Sequence, residues 1–507
     1  MPHDVPVIAR DEVTQEASER FGGPVGRFAR PSAYSLVRSL RALVLLATFT
    51  HLVGYVMRLP CRTADFLNSN RYPRMCYTDM PYLFTGRGFD VGHLPYLSAP
   101  PQGAESLEYP VLTGWFMQLG GWLTHLTASN AVPAVHRASI FYDWNAVLLG
   151  GCFVIAVVAV ALSVPGRPWD AALVALAPTV VMTGLINWDL FAVALFAICM
   201  MLWLRRRPLW AGVFFGLAVS AKFYPIVVLP AFFVVALRAR SLRLFFKFAV
   251  ASTVVWLMVN IPFIVINVHE WARFYTFSRE RGSDFGSLWL ASQYLGADAL
   301  NIDSLNLWAF VIFAVLGALI LVLGLISPRP PRLAQLAFLL VVAFCVSNKV
   351  YSPQYVLWLV PLAAMARPRW REYMVWQISQ VVYAMSVWLF LASTDGDGKG
   401  QGINALNYAW IIIITVAVTL WFAALVVRDI MYPEGDIVRT REFDADMSAV
   451  ESELTAGAEH AAGGAANEVE DSRSSQDAGV SAGSDAGAPA SDDEDAALSS
   501  PEPTSVD

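Results

Sequence analysis

Charge is in short supply in this sequence. Only 15% of its 507 residues are Asp, Glu, Lys or Arg, while 56% are hydrophobic and the mean hydropathy is +0.50. So little charge lies outside the balance of a soluble globular domain and makes lipid the natural solvent for much of the surface. The formal net charge of -6 excludes the basic footprint of a nucleic-acid binder. Histidine and cysteine are scarce too, at seven and five, and no CxxC or clustered His/Cys spacing suggests a metal site. Cys152, Cys199 and Cys345 fall inside apolar runs, where a thiol behaves as a small buried hydrophobe. Cys61 and Cys76 flank one polar loop, and an oxidising exterior permits a disulfide between them. No internal repeat is evident.

What the chain has in abundance is long apolar runs. A helix needs about 20 residues to cross a hydrocarbon layer of roughly 30 Å. Candidate runs cover approximately 41–57, 111–128, 139–163, 169–186, 189–204, 209–221, 223–237, 244–268, 304–326, 333–347, 355–366, 372–392 and 406–427. The basic stretch before the first run, with Arg10, Arg20, Arg27, Arg30, Arg38 and Arg41, and the lack of a small-residue cleavage site after it, predict a retained first helix.

If every run spans, Arg205, Arg206 and Arg207 fall on the side opposite that basic N-terminus, against the positive-inside rule. Reading 111–128 as an interfacial or re-entrant helix returns every later basic loop to the inside. Gly114, Gln118, Gly120, Gly121 and His125 interrupt that run, and Trp115 and Trp122 suit the headgroup region. The expectation is an all-α, multi-pass protein of the cytoplasmic membrane with about twelve crossings and both termini cytoplasmic. Residues 1–38 are then a cytoplasmic N-terminal segment, 39–430 the transmembrane domain with a large first outer loop at 58–138, and 431–507 an Ala/Ser/Gly/Asp/Glu-rich, disordered acidic tail.

This orientation sends one set of polar segments outward. The first outer loop carries Cys61, Asp65, Arg71, Arg74, Cys76, Asp79, Arg87, Asp90, His93, Glu108 and Tyr109. Each is explained as a solvated loop residue in a local ion pair, yet carboxylates and arginines mixed with aromatic residues also suit a sugar and a phosphate. Asn187-Trp188-Asp189 sits between two apolar runs, where the ordinary role for Asp189 is an N-cap or first-turn acid. Lys222 follows in Ala221-Lys222-Phe223-Tyr224-Pro225, with no acidic residue near it in sequence. It is either a snorkelling anchor or a point charge for a phosphate oxygen. Asn348 to Tyr355 compress Lys349, Tyr351 and Gln354 into one turn, which a plain loop explains less well.

Taken in order, these elements resemble the GT-C superfamily of membrane glycosyltransferases and, within it, the glycosyltransferase 87 family of actinobacterial polyprenol-phosphate-mannose-dependent mannosyltransferases. The likeness covers approximately 40–430 and rests on Asp79, Glu108-Tyr109-Pro110, Asn187-Trp188-Asp189, Lys222-Phe223-Tyr224-Pro225 and the 348–355 turn. One proline follows Tyr109 where many relatives have two. The resemblance implies a GT-C type fold and transfer of a sugar, mannose first among them, from a polyprenyl-phosphate donor to a glycolipid or envelope glycan acceptor at the outer membrane face. Carried over, Asp79 is the general base, an ordinary carboxylate needing no special pKa. Asp65 and Asp90 are its rivals. Lys222, Lys349 and Arg74 become ligands of the donor phosphate. Glu108, Tyr109, Asn187, Asp189, Tyr224, Tyr351 and Gln354 become contacts for sugar or acceptor. No DxD pair holds Asp79, so neither metal nor other cofactor is expected, although Asp189 is a carboxylate that can in principle bind one.

Two other classes compete. A multi-pass transporter also uses short interrupted helices and intramembrane polar groups, but repeated halves are lacking and the polar residues gather toward one side. A membrane scaffold recruiting partners through the acidic tail leaves the outer carboxylates dispensable.

Overall fold

The computed structural model describes residues 33–66, 71–394 and 402–439, so the expectations for residues 1–32 and for the tail beyond 439 lie outside the described residues. Those described are helical, with no strand among them. The principal helices are α1 (Ala33–Met57), α2 (Met80–Gly86), α3 (Val111–Thr127), α4 (Ala134–Ala161), α5 (Asp189–Leu204), α6 (Pro208–Ala221), α7 (Leu229–Arg238), α8 (Leu242–Ile266), α9 (Val268–Glu280), α10 (Ile302–Ile326), α11 (Leu333–Ser347), α12 (Val356–Ala366), α13 (Trp370–Thr394) and α14 (Ala405–Met431). Six of the described helices are long and apolar enough to cross a membrane, within α1, α4, α8, α10, α13 and α14; five shorter apolar ones correspond to α5, α6, α7, α11 and α12. Every residue of α12 is buried, whereas α8 and α10 turn most of their apolar surface outward.

The run at 169–186 is not one helix. It breaks into a 3-10 turn (Pro168–Ala171) and two short helices (Ala172–Ala175 and Pro178–Thr183). Pro178 forces the break: the residue before a proline is pushed out of the α region, and Ala177 is extended at φ -64°, ψ 115°. Irregular backbone at membrane depth must find its partners inside the protein. Here Arg58, 1% exposed, supplies them by donating to the carbonyls of Val181 (3.1 Å) and Met182 (2.8 Å).

The glycines Gly114 and Gly120 of α3 are packing notches. A Cβ on Gly114 would stand 2.2 Å from the Tyr96 hydroxyl, and one on Gly120 would stand 2.4 Å from Asn145 Nδ2. Gly212 and Gly216 do the same for α6, whose backbone lies against the Phe248 and Ser252 carbonyls of α8. This small-xxx-small spacing lets two helices approach where lipid offers no hydrophobic drive.

The helix ends form two poles. At one pole Arg205 Nε donates to the carbonyl of Leu162 after α4 (3.0 Å), Arg238 donates to Ser327 after α10, and Arg332 donates to Met365 and Ala366 at the end of α12. Asp436 pairs there with Arg332 (2.8 Å), and Asp429 with Arg367. With those carboxylates consumed, Arg205, Arg207, Arg240, Arg243, Lys247 and Arg371 remain exposed around the same end. At the opposite pole lie the start of α5, the end of α6 and the start of α12, which bring 187–189, 222–225 and 352–355 together.

Candidate active site

At that second pole a cavity of about 420 Å³ is lined by Asp79, Glu108, Tyr109, Asn187, Lys222, Arg281, Gln354 and Tyr355, and walled by aromatic side chains. Each polar residue is delivered by a local break in helical structure.

Asp79 is the N-cap of α2, yet its carboxylate makes no capping bond and stays available to the cavity. Its backbone N–H donates to the Ile186 carbonyl (2.8 Å), and Thr78 Oγ1 donates to the same oxygen (3.2 Å). The Asp79 loop is thereby tied to the Asn187-Trp188-Asp189 turn. A disulfide between Cys61 and Cys76 ties it to the short helix Leu59–Arg62 that follows α1 (Cα–Cα 5.8 Å). Burial pushes the Asp79 carboxyl up to about 6, the Tyr77 hydroxyl pulls it back, Glu108 raises it further and Lys222 opposes that rise. The expectation of an unperturbed carboxylate is therefore corrected, because Asp79 sits beneath a wall of rings and not in an open loop.

Lys222 stands where α6 ends. Continuing the helix would require an N–H at position 225 to reach the Ala221 carbonyl, and Pro225 has none. The Thr113 hydroxyl of α3 takes that carbonyl instead (2.6 Å), and Lys222 swings into an extended conformation (φ -154°, ψ 141°). Its Nζ lies 2.6 Å from Asp189 Oδ1 and 5.0 Å from the centre of the Tyr109 ring. Lys222 thus has an acidic partner that sequence proximity hid, 33 positions earlier. Asp189 is 1% exposed at the first position of α5, where the helix dipole favours a carboxylate. Asn187 Oδ1 accepts from its N–H (3.0 Å).

Glu108 reaches the cavity but is gripped by Arg87 through two parallel bonds of 2.7 and 2.9 Å. Gln354 and Tyr355 enter from the 3-10 turn before α12, with Tyr355 stacked on Trp358 at 3.9 Å.

Other expected site residues lie elsewhere. Asp189 is not in the cavity wall but behind Lys222, where an ion pair occupies it. Lys349 turns away, its Nζ donating to the Arg279 carbonyl (2.9 Å) and to Asn306 Oδ1 (2.6 Å). Arg74 is exposed and is not among the lining residues. Tyr224 is buried and stacked on Trp358 at 4.6 Å; Tyr351 is buried with its hydroxyl on Gln380 (2.8 Å). Of the rival carboxylates, Asp65 bridges His136 (2.6 Å) and Ser139 (2.9 Å), and Asp90 is likewise absent from the wall.

Sequence reasoning missed Arg281 and the aromatic wall. Arg281 follows α9 and pairs with Asp284 at 2.5 Å, and it lines the cavity beside Phe277 and Phe285. It falls in the polar stretch between the apolar runs 244–268 and 304–326, so a search of that stretch for cations finds it. Tyr72, Tyr77, Tyr82 and Trp388 form the other wall, with Tyr72–Tyr77 at 5.5 Å, Tyr77–Tyr82 at 5.8 Å and Tyr77–Trp388 at 5.2 Å. Among the described residues no cluster of three or more His, Cys, Asp or Glu is placed to hold a metal. The chemistry open to the cavity is therefore one base of raised pKa, two cations each backed by a carboxylate, and aromatic surface.

A comparison with known families places this arrangement. The family model of glycosyltransferase family 87 matches residues 109–347. Family 87 consists of membrane enzymes of the GT-C type and indicates glycosyltransferase activity. No curated protein matches the chain. The family 87 region contains Tyr109, Asn187, Asp189, Lys222 and Arg281; Asp79, Gln354 and Trp388 lie outside it and come to the site through the fold.

Proposed function

We propose that the protein transfers a sugar from a polyprenyl-phosphate carrier to an acceptor hydroxyl, with Asp79 as general base. The observation that carries this reading is the meeting of Asp79, Lys222 and Arg281 in one cavity. Asp79 takes the proton from the acceptor hydroxyl, whose oxygen bonds to the anomeric carbon. The bond from that carbon to the phosphate oxygen breaks, and polyprenyl phosphate leaves with the electron pair. Displacement from the far side inverts the anomeric centre. A base with a pKa near 6 is ionised at pH 7 and still holds its proton better than an ordinary Asp, which is what general-base efficiency asks for.

Lys222 and Arg281 meet the charge growing on the leaving phosphate, where electrostatic help counts most. Arg281 takes the place first given to Lys349 and Arg74, whose positions leave them off the wall. Glu108, Asn187 and Gln354 hold sugar hydroxyls, Arg87 keeping the Glu108 carboxylate in place. Mannose is the sugar that the resemblance favours, and a glycolipid or envelope glycan the acceptor. The six helices long and apolar enough to span, with five shorter apolar ones and the broken segment beside them, are compatible with the expected count of about twelve crossings. The exposed arginines at the far pole support a cytoplasmic assignment of that end under the positive-inside rule, and on this reading the cavity opens outward from the cytoplasmic membrane.

Supplying membranes with labelled polyprenyl-phosphate mannose in one arm and labelled nucleotide-sugar in the other, under conditions that block interconversion, tests the donor. Label passes to the acceptor fraction only in the first arm. Transfer confined to the nucleotide-sugar arm contradicts the reading.

A further inference from the structure

Arg281 belongs to a segment clasped from one side by the turn at 349–351. The backbone N–H of Asp284 donates to the Lys349 carbonyl (2.9 Å), and the N–H of Tyr351 donates to the Phe285 carbonyl (2.7 Å). Upstream, the Lys349 ammonium, on a residue 7% exposed, reaches the Arg279 carbonyl in the last turn of α9 at 2.9 Å. Asn306 of α10 completes the knot, donating to the same carbonyl (3.0 Å) and accepting from Lys349 (2.6 Å). A cation at a helix C-terminus meets carbonyls that lack partners within the helix and the negative end of the dipole. Lys349 therefore holds the chain on both sides of Arg281, at 279 through its side chain and at 284 through its backbone. Asp284, held by that backbone bond, fixes the Arg281 guanidinium with contacts of 2.5 and 3.0 Å.

We propose that Lys349 is a positioning residue that aims Arg281 into the cavity. This rests on the reading of Arg281 as a ligand of the donor phosphate. Burying an ammonium against a neutral carbonyl and an amide is costly unless the site needs it, and what stands two residues beyond that carbonyl is the one cation that α9 delivers to the cavity wall. Lys349 touches no substrate in this account. Its effect passes through the direction of the guanidinium, so its loss acts on donor binding.

A double-mutant cycle separates this from general scaffolding. Lys349→Met is expected to raise the KM for the polyprenyl-phosphate donor about fivefold to tenfold, with a smaller change in kcat and an unchanged acceptor KM; Lys349→Arg restores most of the loss. In an Arg281→Ala background, Lys349→Met adds little. Multiplicative effects of the two substitutions, or equal rises in donor and acceptor KM, overturn the proposal. Asn306→Ala removes the side-chain partner and leaves the ammonium, so it carries the same cycle if Lys349→Met fails to accumulate. An Arg281→Ala variant with wild-type donor KM strikes at the phosphate assignment itself and takes this proposal with it. Normal loss in Arg281→Ala with independent action of Lys349 overturns the positioning role alone.

Discussion

Asp79→Asn is expected to lower kcat by about 10²- to 10⁴-fold, the usual contribution of a positioned general base, while the protein still accumulates and melts no lower than wild type at pH 7. The second half follows from the pKa. A carboxyl whose folded value is about 6, against an ordinary 3.8, binds its proton more tightly in the folded state than in the unfolded one. Folding is favoured by that proton below about pH 4, and the contribution is lost as pH rises through 6. At pH 7 the buried charge costs up to about 3 kcal/mol at 1.36 kcal/mol per unit, a cost the amide does not incur. The same pKa sets the pH profile. Wild-type kcat/KM is expected to hold level above pH 6 and to fall about tenfold per unit below it. Asp79→Asn, measured on its residual activity, loses that limb. A variant that retains full turnover removes Asp79 from the base role, and one that unfolds makes it a structural residue.

Lys222→Met is the second large effect, and it has two separable parts. Removing one member of a buried pair leaves the other charge uncompensated, a loss of about 3–5 kcal/mol; Asp189, 1% exposed and 2.6 Å from Nζ, is the charge left behind. Removing a charge-assisted contact to the donor phosphate costs roughly 1.5–3 kcal/mol, or about 10- to 100-fold in donor KM. Adding Asp189→Asn to Lys222→Met is expected to recover the melting temperature without recovering the donor KM. If the double variant recovers both, Lys222 serves only to neutralise Asp189. If neither single variant moves the donor KM, Lys222 does not meet the phosphate.

The fold was legible where the physics is local. Apolar runs of the right length became helices with ends close to those expected, and the polar interruptions at 187–189, 222–225 and 352–355 arrived together at one pole because each lies at a helix terminus on the same side. Proline shapes the backbone at two places. Pro178 divides a run that hydropathy reads as continuous, and Pro225 frees the carbonyl that Thr113 claims from another helix. Hydropathy windows do not register either effect. The glycines of α3 interrupt an apolar run in the sequence and allow close approach in the fold, where Tyr96 and Asn145 occupy the space that a Cβ would fill.

The site was legible in its residue types and not in its pairings. Nothing in the spacing of Lys222 and Asp189 announces a contact, since they sit at the facing ends of two antiparallel helices. Lys349 looked like a phosphate ligand because a lysine in a polar turn has no visible partner; its partners are a backbone carbonyl and an amide from two other elements. The wall of Tyr72, Tyr77, Tyr82 and Trp388 draws on the Asp79 loop and on α13, more than 300 positions apart by residue number, so no window of sequence contains it.

The most direct test is a structure of the protein with a non-transferable phosphonate analogue of the polyprenyl-phosphate sugar. The account predicts the phosphonate oxygens within hydrogen-bond reach of Lys222 and Arg281, and the Asp79 carboxylate facing the anomeric carbon from the side opposite the leaving oxygen. An analogue seated outside the cavity, or one whose phosphonate lies on the Asp79 side with both cations remote, contradicts it.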